Sequence, residues 1–393
     1  MARGRIASKT KKKLNFLCYG DTFSGKSTFV SQFAYMHNED GSPMKVLFID
    51  AESGSIDLYL DEMEENGIDL RNIYILYSQS LGEVLDYIEK VKNREEFYEL
   101  DDEGNETDEI VLDAEGKSFF PDAIVIDGVT VLHQAVQQGL VEFSKKRARV
   151  RAENNGLVGD EKLVSIEGAG LEIRDYGAIK YKASNLCLAL LGTGVHSAIT
   201  CREEDEKETR LGSNNQFSSV PTGKKIPSGF KGIDYNMHTV VRFFRNEDNE
   251  VCAEVLKDRT GVHPNEVLND PSLLDWQVII DGNVGRKDFV LKNSLDTAVE
   301  TEQEIYSAEV MSNATKSMSK SDMEKAKVAT SQPIVPAGKA DELRAAINAE
   351  LKKLAPPAKK TMKTKIEAAG LPTDLKTIAD AEVLSQILTL VTE

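Results

Sequence analysis

Short apolar segments alternate with segments of helical periodicity along the first half of the chain. The apolar segments are residues 14–19, 45–50, 73–77, 122–127 and 196–201, and continuous runs of this kind are typical of parallel strands covered on both faces. Helical periodicity marks residues 28–36, 56–66, 81–92 and 176–191. The alternation predicts an α/β fold with a mostly parallel central sheet, built from right-handed strand–helix–strand units.

Two further apolar segments predict a change of strand direction. Residues 239–245 and 251–256 are separated by the polar stretch 246–250, which is the pattern of a β-hairpin. The sheet is therefore expected to end in antiparallel strands. Residues 277–280 predict one more short strand.

The composition changes after the predicted sheet. Ser, Thr, Ala, Lys and Glu dominate residues 296–339, which predicts a flexible linker. Residues 340–393 regain helical periodicity and predict a small helical C-terminal module. The expected organisation is a basic N-terminal arm at 1–13 and a core at 14–295 with an acidic insertion at about 97–118, followed by the linker and the module.

A glycine-rich loop lies between the first predicted strand and the first predicted helix. Its form is Gly-x-x-x-x-Gly-Lys-Ser, in which glycines let backbone amides surround an anion and the helix start adds partial positive charge. Lys26 is expected to neutralise the β- and γ-phosphates of ATP, and the hydroxyl of Ser27 to bind Mg²⁺. The predicted ATP-binding residues are Gly20, Asp21, Thr22, Phe23, Ser24, Gly25, Lys26, Ser27 and Thr28.

Two other predicted strands end in carboxylates. One ends at Asp127, the pattern of a Walker B motif, whose carboxylate supports the magnesium ion at the carboxyl edge of the sheet. The other ends at Asp50 and is followed by Glu52, so these two carboxylates are expected to share one face. A carboxylate in this place can orient and deprotonate the water that attacks the γ-phosphate.

The segment Phe48-Ile-Asp-Ala-Glu52 and the segments at 69–78 and 82–85 resemble the RecA family of ATPases. This resemblance implies a RecA-like P-loop core with Glu52 as the general base. Residues 198–202 end a predicted strand where that family has a polar sensor of the γ-phosphate. Thr200 and Arg202 are the candidates for that sensor.

Lys257 and Arg259 resemble a pair of basic residues found in two groups of RecA-like proteins. The hexameric DnaB-like helicases have Lys-x-Arg at the end of a strand, and RecA has Lys-x-Lys. In those relatives the pair reaches the triphosphate of a neighbouring subunit, where two cations can stabilise charge on the transferred phosphoryl group. The resemblance therefore implies catalytic roles for both residues in a homo-oligomer, either a ring or a filament.

Over residues 10–282 the order of these motifs most resembles the RecA-like single-strand-annealing ATPases of bacteriophages, the Sak-type group. The resemblance implies an ATPase that is stimulated by single-stranded DNA and acts on it in phage recombination or replication, with ATP and Mg²⁺ as cofactors. It also places the protein in the bacterial host cytoplasm. The C-terminal module is a candidate contact for a single-strand-binding or other replication protein.

The formal charge of −17 argues against a chain that coats nucleic acid over its whole surface, but the charge is uneven. RecA-type cores bind DNA through two loops, which here correspond to residues 143–174 and 203–231. Cations and aromatic rings in such loops suit a single strand bound without sequence preference, although the second loop begins with an acidic cluster. The candidate cations are Lys145, Lys146, Arg147, Arg149, Arg151, Lys224 and Lys225, and the candidate stacking groups are Phe217 and Phe230.

Other function classes remain open at the level of the sequence. A ring helicase or translocase motor would have the same fold and would use Lys257 and Arg259 in the same way, at the triphosphate of a neighbouring subunit. An ATP-gated loader or scaffold protein would use nucleotide to control assembly. No apolar run is long enough to cross a bilayer, and the basic N-terminus lacks the apolar region of a secretory signal. Four dispersed cysteines favour neither zinc nor disulfides, which agrees with a reducing cytoplasm.

Overall fold

The computed structural model describes residues 6–52, 54–101, 104–211, 217–290, 295–317 and 381–392, together with residues 343, 346, 347, 362, 365 and 366. The strands in this part of the chain are β1 (Asn15–Gly20), β2 (Val46–Asp50), β3 (Ile73–Tyr77), β4 (Tyr98–Leu100), β5 (Glu106–Ile110), β6 (Ala123–Asp127), β7 (His196–Leu211), β8 (Phe217–Pro227), β9 (Thr239–Arg245), β10 (Val251–Asp258) and β11 (Val267–Asn269).

The α-helices of the same residues are α1 (Lys26–Ser31), α2 (Asp57–Glu65), α3 (Leu81–Asn93), α4 (Val129–Asn154), α5 (Gly159–Glu167), α6 (Ile173–Thr193), α7 (Ile233–Asn236), α8 (Gln277–Asp281), α9 (Leu295–Ser317) and α10 (Ala381–Thr392). Short 3₁₀ helices span Gln32–Tyr35, Leu70–Asn72 and Leu273–Trp276. Within the described part of the chain, we find no helix whose length and apolar character would let it span a lipid bilayer.

The central sheet has the strand order β11-β10-β9-β1-β7-β6-β2-β3, and β8 pairs with β7. The six strands from β9 to β3 in this order are parallel, whereas β10 runs antiparallel to β9 and β11 antiparallel to β10. The predicted fold class, a mostly parallel α/β sheet with an antiparallel hairpin near its end, is confirmed. The carboxyl ends of β1, β2 and β6 lie at one edge of the sheet, hereafter the carboxyl edge.

Alternating side chains of each strand pack on opposite faces of the sheet, as the two-residue period of a strand requires. In β1, Leu17 and Tyr19 join the apolar cluster formed with α3, α4 and α6. Phe16 and Cys18 join the cluster on the other face, which contains Trp276 and the apolar side of α1. The sheet is therefore buried on both faces, which explains the continuous apolar runs.

Strand β7 is much longer than predicted. It continues past the carboxyl edge and pairs with β8 from Glu203↔Pro227 to Leu211↔Phe217. We call residues 203–211 and 217–227 the β7–β8 ribbon. This antiparallel ribbon occupies most of the segment predicted as the second DNA-binding loop.

Three other predictions differ from the structure. Residues 277–280 are helical in α8 and not a strand, because the apolar side chains of this short run pack beside Trp276 at helical spacing. The segment 143–174, predicted as a loop, consists mainly of the end of α4, then α5 and the start of α6. The first part of the predicted linker is helical in α9, and residues 318–339 lie outside the described residues.

The acidic insertion contains an antiparallel hairpin of β4 and β5. After the hairpin in the sequence, Asp113 is buried and accepts a hydrogen bond of 2.9 Å from Lys45 Nζ. The chain divides into two compact units, Met1–Glu302 and Gln303–Glu393. In the second unit, a small apolar cluster of α10 and nearby helical residues contains Ile347, Ile366, Leu384, Ile387 and Val391.

Candidate functional site

The glycine-rich loop is fixed at the end of β1 by two close approaches of the backbone. Gly20 is paired in register with Phe243 of β9, and a Cβ on Gly20 would lie 2.1 Å from the Phe243 carbonyl oxygen. Gly25 has φ +93°, a conformation that favours glycine, and a Cβ there would lie 2.8 Å from Val251 Cγ1. Both glycines of the motif are therefore required by packing against the β9–β10 hairpin.

The Lys26 side chain folds back over the glycine-rich loop, and α1 begins at Lys26 itself. Its Nζ donates hydrogen bonds to the carbonyl oxygen of Asp21 at 2.6 Å and to Ser24 Oγ at 3.4 Å. Burial lowers the pKa of Lys26, and the nearby carboxylates of Glu52 and Asp127 oppose that shift. The hydrogen bonds hold the ammonium group against the glycine-rich loop.

The remaining loop residues are arranged by local hydrogen bonds. Asp21 Oδ1 accepts from the Thr22 amide at 2.8 Å, and Ser24 Oγ donates to the Asp21 carbonyl at 2.7 Å. Thr28 Oγ1 lies 2.9 Å from the hydroxyl of Tyr59 on α2. Ser27 is the second residue of α1 and is half-buried.

Phe23, one of the predicted ATP-binding residues, has an unusual backbone conformation. It has φ +55°, which is uncommon for a residue with a side chain, and the residue is 89% exposed. Arg245 at the end of β9 donates from Nε to the Phe23 carbonyl at 2.9 Å. Arg245 was not predicted as a site residue, because only the pairing of β9 with β1 brings it to the loop.

Asp127 is buried at the end of β6 and is oriented by two hydroxyl groups. Ser55 Oγ donates to Oδ2 at 2.7 Å, and Thr200 Oγ1 donates to Oδ1. Thr200 Oγ1 also accepts a hydrogen bond of 2.9 Å from the Gly128 amide. Thr200, a candidate γ-phosphate sensor, therefore orients Asp127 instead, since its hydroxyl is committed to these two groups.

Asp50 is buried at the end of β2, opposite Asp127 in the parallel register. Its oxygens accept hydrogen bonds from the amides of Glu52, Gly54 and Ser55 at 2.8, 2.9 and 2.6 Å. These bonds fold the turn after β2 and so position both Glu52 and Ser55. Asp50 thus has a structural role, and the carboxylate of Glu52 remains available for chemistry.

Glu52 follows β2 at the carboxyl edge, next to the turn after β6. The backbone of Gly128, which has φ +99°, passes so close that a Cβ there would be 2.5 Å from Glu52 Cγ. On its other side, Glu52 Oε1 accepts hydrogen bonds from Arg202 Nη2 at 3.1 Å and from Arg202 Nε at 3.3 Å. The need for glycine at 128 carried no recognisable signal in the sequence.

The residues around Asp127 fit a magnesium ion. Mg²⁺ prefers oxygen ligands and is commonly held by one or two protein groups together with water and substrate phosphates. The predicted ligands, the Ser27 hydroxyl and the Asp127 carboxylate, supply oxygens of this kind. Among the described residues no group of three or more His, Cys, Asp or Glu side chains could hold a metal ion by itself, so the phosphates would complete the coordination.

Lys257 and Arg259 lie at the opposite edge of the sheet from their own glycine-rich loop. Asp258, between them, pairs with Thr239 at the start of β9, whereas Gly20 pairs with Phe243 near its end. Lys257 Nζ donates to the carbonyl oxygens of Asp234 and Tyr235, both at 3.0 Å, and Arg259 is exposed. Neither side chain belongs to the nucleotide site of its own subunit.

The basic run at 145–151 lies on α4, and carboxylates neutralise three of its five cations. Lys145 Nζ is 2.9 Å from Glu167, Arg151 Nη2 is 2.7 Å from Glu172, and Arg147 Nη2 is 2.6 Å from Asp175. The hydrogen bond from Arg147 lowers the pKa of Asp175 to about 2. Lys146 and Arg149 are exposed, with no ion-pair partner among the described residues.

Charged side chains of the β7–β8 ribbon also form ion pairs. Lys225 Nζ lies 2.9 Å from Asp205, and Arg242 Nε lies 2.9 Å from Glu203, so part of the acidic cluster is neutralised. Lys224 is exposed. Phe217 is 75% exposed, whereas Phe230 is 1% exposed and packs against His133. The prediction that Phe230 stacks on a base is therefore wrong, because its ring belongs to the core.

No protein-family model matches the chain, and no curated protein matches it. Solved structures similar to it include a KaiC-like protein from the hyperthermophilic archaeon Pyrococcus horikoshii. That structure shares 16% sequence identity with this chain at a TM-score of 0.34, and the match covers 67% of this chain and 99% of the other.

Proposed function

We propose that this chain is a RecA-like ATPase that binds ATP with Mg²⁺ and hydrolyses it to ADP and phosphate. The observation that carries the proposal is that Lys26, Glu52 and Asp127 meet at one sheet edge, beside a loop whose two glycines are required by packing. Lys26 follows β1 at the start of α1, Glu52 follows β2, and Asp127 ends β6. Such convergence is what nucleotide hydrolysis at the carboxyl edge of a parallel sheet requires.

Each group has a distinct role in the proposed reaction. Lys26 leaves the Asp21 carbonyl to pair with the β- and γ-phosphates, and the loop amides surround the same anion. Ser27 and Asp127 would hold Mg²⁺, which would supply positive charge beside the phosphate oxygens. Glu52 accepts a proton from the attacking water, a bond forms from the water oxygen to the γ-phosphorus, and the bond to the β–γ bridging oxygen breaks.

The proposed partner is single-stranded DNA in phage recombination or replication, by annealing or a recombinase-type reaction. The sequence resemblance supports this part, together with Lys146, Arg149 and Lys224, which are exposed cations. The pairing of Lys145, Arg147, Arg151 and Lys225 with carboxylates reduces the charge available to DNA. That pairing favours the second candidate, an ATP-gated loader or scaffold protein.

Two variants test the ATPase proposal. Lys26→Ala is expected to abolish ATP binding, because it removes the charge that pairs with the phosphates, whereas Glu52→Gln should keep binding and lose hydrolysis. Equilibrium binding of a fluorescent ATP analogue and steady-state phosphate release measure the two effects. Hydrolysis by Glu52→Gln at the wild-type rate would refute the assignment of the base.

The two candidate functions differ in their response to DNA. Hydrolysis stimulated by an oligo-dT strand supports the DNA-handling protein, whereas hydrolysis that DNA leaves unchanged supports the loader or scaffold. Unwinding of a forked duplex would instead identify a helicase motor.

A further inference from the structure

Arg202 lies where the proposed catalytic base meets the β7–β8 ribbon. Two nitrogens of its guanidinium donate to the same oxygen of Glu52, Oε1, at 3.1 and 3.3 Å. Arg202 is paired in register with Gly20, the first residue of the glycine-rich loop. The ion pair therefore occupies the level of the sheet at which the γ-phosphate is expected.

The backbone of Arg202 is held at the base of the ribbon. Its amide donates to Thr130 Oγ1 at 3.0 Å, and its carbonyl accepts from the Ser228 amide at 2.7 Å. Thr130 Oγ1 in turn donates to the Ser228 carbonyl at 3.1 Å. These bonds connect Arg202 to both strands of the ribbon and to the first turn of α4, so a displacement of the ribbon acts directly on its position.

The pair is accessible and therefore inexpensive to break. The Arg202 side chain is 49% exposed and that of Glu52 is 33% exposed, and ion pairs of this kind stabilise a protein by about 0–1 kcal/mol. Because such a pair contributes little to stability, a movement of the ribbon can separate the two side chains.

We propose that Arg202 is a positioning residue that restrains Glu52 in the resting protein and releases it when the ribbon binds a ligand. This inference rests on the proposed ATPase function, since it concerns control of the same base. In the restrained state one carboxylate oxygen is occupied by the guanidinium. Release frees that oxygen to accept the proton of the attacking water.

The test compares Arg202→Gln with Arg202→Lys in steady-state hydrolysis, with and without oligo-dT as the ribbon ligand. Arg202→Gln should raise kcat without DNA by about two- to fivefold, which is equivalent to about 0.4–1 kcal/mol. Its KM should stay unchanged, and its stimulation by oligo-dT should fall toward unity. Arg202→Lys keeps the charge and should behave like the wild type.

Two controls isolate the pathway. Arg202→Gln combined with Glu52→Gln must remain inactive, because the gain acts through Glu52. Arg210→Gln removes a ribbon cation that is paired with Glu208, and it should leave the DNA-free kcat unchanged.

The restraint is overturned if Arg202→Gln has the same DNA-free kcat as the wild type. Equal losses with and without DNA also overturn it and make Arg202 a catalytic cation. If the wild type fails to bind the ATP analogue, the ATPase proposal itself is refuted.

Discussion

The carboxyl edge and the basic run at 145–151 of α4 both contain clustered charges, but the groups that surround these charges differ. At the carboxyl edge, buried Asp127 is held by neutral hydroxyl groups, which orient the carboxylate and leave its charge in place. On α4, Arg147 and Arg151 meet carboxylates from the start of α6, which neutralise them. A charge that neutral groups position remains available to a ligand, whereas a charge paired with its opposite mainly joins elements together.

The largest expected effect follows from removing the charge at the carboxyl edge. Asp127→Asn keeps the shape of the side chain but loses the anion, and it should lower Mg²⁺-dependent hydrolysis by about 100-fold or more. Phosphate release measured as a function of Mg²⁺ concentration checks this. Asp122→Asn, just before the start of the same strand, is the matched control, because the Asp122 side chain accepts hydrogen bonds from Asn38 and Lys45 at the end of the strand away from the carboxyl edge. Wild-type hydrolysis by Asp127→Asn would contradict the assignment.

A second experiment asks whether the exposed cation at the far edge of the sheet serves a neighbouring subunit. Lys26→Ala and Arg259→Ala should each be inactive in hydrolysis, but an equal mixture should recover part of the activity. In a head-to-tail oligomer, about a quarter of the interfaces would combine an intact loop with an intact Arg259.

Phosphate release after co-assembly measures the recovery. A mixture of Lys26→Ala with Asp127→Asn is the control, since both changes damage the same site and no interface regains an intact one. Absence of recovery in co-assembled, folded mixtures of Lys26→Ala and Arg259→Ala would exclude the shared site.

The smallest effect should separate the two kinds of cation on α4. Lys146→Gln with Arg149→Gln removes exposed charges, and it should weaken oligo-dT binding and reduce the salt slope by about 1.4 in total. Arg147→Gln with Arg151→Gln removes paired charges and should leave the slope unchanged while lowering the thermal midpoint. Binding titrations at several salt concentrations and thermal unfolding measure the two outcomes.

The pairing of Arg147 also predicts an acid dependence of stability. The pKa of Asp175 is depressed in the folded protein to about 2, so its contribution is complete above the pKa of the unfolded carboxyl group and disappears as the pH falls toward 2. Arg147→Gln should therefore destabilise the protein at neutral pH more than at pH 2. An equal loss at both values would mean that the ion pair contributes nothing.

The sequence predicts the strand ends well because burial on both faces leaves a continuous apolar run that stops at the edge. Gly20, Asp50 and Asp127 all follow from that pattern and from the rule that parallel strands end at one edge. Arg245, Ser55 and Gly128 do not follow from it. Their roles depend on which strands are neighbours and on how closely two backbones approach.

The errors have equally specific causes. Residues 143–174 follow the Walker B strand, where RecA-type cores have a DNA-binding loop, and the resemblance therefore predicts a loop here. Their helices instead exchange ion pairs with one another, as Lys145 does with Glu167. Phe230 stands among polar residues in the sequence, but the fold buries its ring against His133. The environment of such a single residue is set by packing between distant segments, and the local periodicity of the sequence does not reveal it.

The place of β1 in the middle of the sheet has a consequence for biosynthesis. The strand is synthesised well before its two neighbours, β7 and β9, whose pairing with it begins at Ser197 and Thr239. Contacts between such distant segments form slowly because chain closure must precede them. During translation, the apolar β1 strand therefore stays unpaired and prone to aggregation until β7 has been made, and it gains its second neighbour only when β9 is complete. A nascent chain that stops before β9 cannot assemble the nucleotide site, whatever the state of its glycine-rich loop.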